Sequence, residues 1–97
     1  MSENLPIGDE GSKRDGLLQF QNFFVGNYDE YYELARHIVN DDHFADDITS
    51  QAFVKLWAKG LETLEDEGYA RRFLKRTTIN LCIDHLRKKN SHRTDYP

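Results

Sequence analysis

The segment from Arg71 to Lys89, RRFLKRTTINLCIDHLRKK, has no Gly and no Pro and carries cations at both ends. At roughly 100° per residue in a helix, Arg72, Arg76, Asn80 and Arg87 fall on one strip. Ala70, Phe73, Leu74, Thr77 and Leu81 lie on a neighbouring face, with Leu74 and Leu81 expected in the core. Ile79, Ile83 and Leu86 make a second apolar patch, so this helix is expected to pack on two sides. What stays outside is a ladder of guanidinium groups with one amide in its middle. That chemistry suits a polyanion.

The charge distribution points the same way. Residues 71–93 carry a net +7, whereas the rest of the chain carries −11, which together give the overall −4. A split of this kind fits a polyanion-binding segment on a carrier that repels polyanions elsewhere. Complementing the helix dipole accounts for Arg87, Lys88 and Lys89 near the C-terminal end. It does not account for Arg71, Arg72, Lys75 and Arg76, which sit where the dipole disfavours positive charge.

Other chemistries have little support. His37, His43, His85 and His92 show no i, i+4 pairing and no Cys partner at metal-ligand spacing, so no metal site is expected. Asp46 and Asp47 are adjacent and point about 100° apart on a helix, a poor acid/base pair. No phosphate loop or nucleophile motif is present. No catalytic residue and no cofactor are expected. Cys82 reads as a small apolar core residue.

The elements that must hold this segment are helical. Residues 1–15 are polar and aperiodic and read as a disordered tail. Leu17, Leu18, Phe20, Phe23, Phe24 and Val25 are dense enough for a short buried helix, with Gly26-Asn27 as its stop signal. Tyr28, Tyr31, Tyr32, Ala35 and Ile38 repeat at the spacing of an amphipathic helix to about Val39, the tyrosines packing with their hydroxyls at the rim. Asn40-Asp41-Asp42 is a turn and cap cluster. The next helix runs to Lys59, with Ala45, Ile48, Ala52 and Leu56 inward, flanked by Phe53 and Trp57. Its opposite side carries Asp47, Ser50, Gln51, Val54 and Ala58, which suits either solvent or a groove for another helix. Gly60 ends it. LETLEDEG, residues 61–68, is an acidic connection with Leu61 and Leu64 packing inward. The last helix runs from about Tyr69 to Asn90. No strand, repeat or low-complexity tract is visible. The expected fold is all-α, a compact bundle of three to four helices over residues 16–90, with residues 91–97 as a tail or the start of a linker.

Ninety-seven residues make one small domain. A single cysteine excludes an intrachain disulfide and fits a reducing compartment. No apolar run approaches the ~18 residues of a membrane span, and no signal peptide is visible. A cytoplasmic protein is expected.

Two stretches then carry a resemblance. FADDITSQAFVKLW (44–57), followed by FLKRTTINLCIDHLRKK (73–89), resembles region 2 of bacterial sigma factors, especially the extracytoplasmic-function type. Asp46, Asp47, Ile48, Phe53, Leu56 and Trp57 match the first motif of that family. Leu74, Arg76, Asn80, Ile83, Asp84, His85, Leu86 and Arg87 match the second, in the right order and at the right separation. The likeness covers roughly Phe20 to Lys89. Ser50, Gln51 and Ala52 depart from the family's Gln, Glu and small or β-branched residue; Phe73 replaces a usual Trp and Lys75 a usual Tyr. The family's second, helix-turn-helix domain has no counterpart here, and the chain is expected to be one domain of a longer factor or a truncated product.

The resemblance implies a transcription-initiation domain without catalysis. Asp46, Asp47, Ser50, Gln51 and Val54 would dock on the coiled coil of the β′ subunit of core RNA polymerase. The last helix would face the promoter −10 element, with Arg71, Arg72, Lys75, Arg76, Arg87 and Lys88 on phosphates of the non-template strand. Asn80, able to donate and accept at once, would read the edge of an unpaired base. An anti-sigma factor is a further implied partner. The alternatives from the residues alone are a helical adaptor that binds only protein and a small enzyme using His/Asp pairs.

Overall fold

A computed structural model describes the backbone of residues 4–94 and the side chains of residues 15–89. Three α-helices and one short 3₁₀ turn follow in order: α1 Asn4–Val39, α2 Asp42–Lys59, the 3₁₀ turn Leu61–Glu65, and α3 Glu67–Thr94. Each α-helix packs on the other two. Among the described residues there is no strand, and the fold is all-α as the sequence reading expects.

Gly26-Asn27 does not stop a helix. α1 is continuous through it, one helix in place of the expected two. Asn27 is buried, and its side-chain amide donates to the Phe23 carbonyl 2.8 Å away, one turn earlier. Phe23 and Phe24 before the pair, and Tyr28 and Tyr31 after it, all meet the same Phe53 ring of α2. An interior Gly costs only about 1 kcal/mol in helix propensity, and packing on both sides of Gly26 outweighs that. The helix also extends back to Asn4, through most of the stretch read as a tail; once a helix is nucleated, each added residue needs little further stabilisation. Residues 1–3 and 95–97 lie outside the described residues.

The α1–α2 turn is built from caps. Asn40 takes a left-handed φ of 56°, and Asp41 accepts from the Phe44 amide at 2.9 Å as the N-cap of α2. Across the turn Arg36 pairs with Asp42 and donates to Asn40 Oδ1 at 3.0 Å. At the other end Gly60, φ 112°, stops α2, a conformation that only glycine adopts without strain. Leu61 and Leu64 then turn inward, as their apolar character requires. Asp66 accepts from the Tyr69 amide at 3.1 Å and opens α3.

The core has two clusters. One surrounds Phe53 and contains Phe23, Tyr31, Ala52, Leu56, Leu64, Ala70 and Leu74. The other contains Ala35, Val39, Ala45, Ile48 and Cys82. Half-buried Leu81 packs against both. Thr49 and Thr78, both fully buried, fall between the clusters in the order of their helices. Burial pushes the Cys82 thiol pKa up, which keeps the group neutral.

Candidate nucleic-acid and polymerase interface

The register of α3 follows from its burial. Ala70, Leu74, Thr78 and Cys82 repeat every four residues and are inaccessible to solvent. That places Arg72, Arg76, Asn80 and Arg87 on the opposite side, and all four are exposed. The expected packing of a second side is not found. Ile83 is 41% exposed, and Ile79 and Leu86 are half-buried. Ile83 sits within the arc of the guanidinium ladder, with Ile79 and Leu86 along its edge, because positions 72, 76, 79 and 83 repeat on one side of the helix. The exposed strip is therefore cationic with an apolar seam, and α3 is buried along one side only.

The remaining basic residues of the site, Arg71, Lys75 and Lys88, divide between two grooves, one of them shared with Arg72 of the ladder. Arg71, Arg72 and Lys75 line a cleft against Glu30, Tyr31 and Leu34 of α1. Arg71 Nη1 donates to Glu30 Oε1 at 3.4 Å, and the buried Tyr31 hydroxyl donates to the Arg71 carbonyl at 3.3 Å. Desolvation, with Glu30 adding to it, raises the Tyr31 pKa and keeps the phenol a proton donor. Lys88 stands apart from the ladder. It lines a groove between α2 and α3 with Phe44, Asp47, Gln51, Asp84 and His85.

On α2, burial of Ala45, Ile48, Ala52, Phe53 and Leu56 turns Asp46, Asp47, Gln51 and Val54 outward, with Ser50 half-buried at the edge of that face. Val54 is 65% exposed. Gln51 Nε2 donates to Asp47 Oδ2 at 2.9 Å. A carboxylate, a carboxamide and an exposed valine within two turns can hydrogen-bond and exclude water together, which suits a protein partner more than solvent alone. Trp57, next along α2, is half exposed with its ring edge-on to Phe20 at 4.8 Å.

Sequence reasoning missed two contacts. Lys59 Nζ lies 5.3 Å from the centre of the Phe73 ring, which also has the Tyr69 ring, one turn earlier on the same helix, 6.3 Å away. The Gly60 turn brings the end of α2 to the start of α3, and neither helix alone announces that pairing. Likewise Phe44 and His85, 41 positions apart in the chain, have ring centres 4.2 Å apart. Among the described residues no group of three His, Cys, Asp or Glu side chains is disposed to hold a metal ion.

Residues 23–92 match the family model of Sigma-70 region 2. That is most of the chain, and the protein belongs to this family: a helical, non-enzymatic transcription-initiation domain whose membership implies RNA polymerase and promoter DNA as partners. No curated protein and no solved structure matches the chain. Among the described residues no helix is long and apolar enough to cross a membrane.

Proposed function

We propose that the protein is the region 2 domain of an extracytoplasmic-function sigma factor of the bacterial cytoplasm, with residues 16–90 as the domain. α2 docks on the coiled coil of the polymerase β′ subunit through Asp46, Asp47, Ser50, Gln51 and Val54. α3 takes the non-template strand of the −10 element. Arg71, Arg72, Lys75, Arg76, Arg87 and Lys88 meet phosphates, and Asn80 reads one unpaired base. Promoter melting follows by capture. A base that leaves the stack costs a few kcal/mol, offset by phosphate contacts and by stacking on side chains. The half-buried Tyr69 and Phe73 rings, with Lys59 beside them, offer such a surface next to Arg72 and Arg76.

The observation that carries this reading is the separation of two exposed faces on one core. The cationic strip with Asn80 occupies the outer side of α3, and the acid–amide–valine face occupies α2. An anti-sigma protein covering either face would block one of the two functions. The exposed Ile83 in the middle of the cationic strip also favours a second reading, a protein-only helical module. Capture of the domain on core polymerase, with and without promoter DNA, together with titration of a single-stranded −10 oligonucleotide at two salt concentrations, separates the two. Salt-independent or absent oligonucleotide binding would leave only the protein-binding module.

A further inference from the structure

The cleft between α1 and α3 sets three cations, Arg71, Arg72 and Lys75, against one carboxylate, Glu30. Glu30 Oε1 lies 3.4 Å from Arg71 Nη1, a pair formed across 41 positions of sequence. Its location is not left to a mobile loop. The next residue, Tyr31, is 3% exposed, its ring packs edge-on to Phe53, and its hydroxyl holds the main-chain carbonyl of Arg71 itself. The core thus fixes α1 against α3 at the very residue that Glu30 meets. Arg72 and Lys75 line the same cleft, and neither is among the described ion pairs.

A carboxylate offers a guanidinium the same kind of charged oxygen acceptors that a phosphate does. The geometry points to Glu30 as an internal competitor for nucleic-acid phosphate at Arg71: it occupies the guanidinium in the free protein and is displaced when a phosphate arrives. This rests on the DNA-binding reading given above. The pair is exposed, with 46% of the Arg71 side chain and 63% of the Glu30 side chain accessible. Such pairs are weak and easily exchanged, so Glu30 adjusts affinity and does not close the cleft. A segment of net +7 would hold any polyanion; the competitor lowers that hold on every sequence alike. It acts on the phosphate contribution alone and leaves the ratio between preferred and other bases as it was.

The test is fluorescence anisotropy with the 97-residue chain and two labelled single-stranded DNA oligonucleotides, one carrying a −10-like sequence and one scrambled, at two salt concentrations. Glu30→Gln keeps the side-chain shape and removes the charge. It should tighten binding to both oligonucleotides roughly two- to fivefold at the lower salt and steepen the salt slope by up to about 0.7. Glu33→Gln removes the same charge from the next turn of α1, at an exposed residue with no described ion pair to Arg71, and should change affinity far less. In an Arg71→Ala background Glu30→Gln should add nothing. Equal gains from Glu30→Gln and Glu33→Gln, or a gain that persists without Arg71, would show a general charge effect and overturn the competition. So would unchanged or weaker binding by Glu30→Gln. If the unsubstituted chain shows no salt-dependent DNA binding, both this inference and the reading beneath it fall; if it binds and Glu30→Gln is without effect, only the competition falls.

Discussion

Gln51 donates its side-chain amide hydrogen to the Asp47 carboxylate one turn earlier on α2, at 2.9 Å. Both are exposed, and exposed Val54 continues the same side one turn on. The bond fixes the Gln51 amide with its carbonyl oxygen free to accept from a partner. It also restricts the carboxylate, which would lower the ordering cost of the proposed docking. Replacing both residues by Lys reverses the charge of this face without touching the core. Core polymerase binding should be lost, while helicity and melting temperature stay nearly unchanged. Retention of normal polymerase binding by the double variant would assign the face to solvent.

Leu74 is inaccessible to solvent in the cluster around Phe53, whereas Leu81 is half-buried between the two clusters. Leu74→Ala should therefore cost about 2–5 kcal/mol, a large share of the stability of a domain this size. Leu81→Ala should cost less, because part of its side chain already faces water. Denaturant titrations of the two variants give the order directly; a larger loss at Leu81 would contradict the burial of these two positions.

That pair shows how far the sequence could be read. Apolar spacing at 45, 48, 52 and 56, or at 70 and 74, specifies a buried face within one helix, and those faces are where the periodicity puts them. Asp41 and Gly60 were legible for the same reason, since a cap acts on its own helix. What could not be read depended on another helix. Phe53 becomes the centre of the aromatic cluster only because α1 brings four rings to it beside Phe20. Gly26-Asn27 looks like a stop until that packing is known. The patch of Ile79, Ile83 and Leu86 looks buried by composition, yet no fourth helix exists among the described residues to cover it. The exposure of the cations of α3 was legible from the periodicity; the partnership of Arg71 with Glu30 and the separation of Lys88 from the ladder were not.

Thr78 gives a prediction of the opposite sign. It is fully buried, and among the described residues its hydroxyl oxygen has no hydrogen-bond partner. An unsatisfied buried hydroxyl costs roughly 1–3 kcal/mol. Thr78→Val keeps the shape and removes the polar group, so it should stabilise the domain by about 1 kcal/mol or more, with a rise of about 4–8 °C in Tm for each kcal/mol. Thr49→Val makes the matched control. The Thr49 hydroxyl donates to the Ala45 carbonyl at 2.7 Å, so its removal brings no such gain. Thermal melts in which Thr78→Val is neutral or destabilising would mean that the hydroxyl has a partner in solution.

Asn80 and Arg76 share the outer strip of α3, one turn apart, and both are exposed. Asn80 has no described hydrogen bond to another residue that would account for an amide at mid-helix, where Asn has only modest propensity. Their proposed roles differ in what salt and sequence do to them. Arg76→Ala should weaken binding to all single-stranded sequences alike and reduce the salt slope by about 0.7. Asn80→Ala removes no charge and should leave the slope unchanged. It should cost roughly 1–3 kcal/mol on the preferred base only, flattening discrimination at one position. The measurement is a titration of both variants against oligonucleotides varied at each −10 position, at two salt concentrations. The exposed Ile83 lies one turn further along; if the proposed base rests against it, Ile83→Ala should weaken the same position without changing the slope. Equal losses on every oligonucleotide with Asn80→Ala would reject base reading and leave Asn80 as a polar residue of the surface.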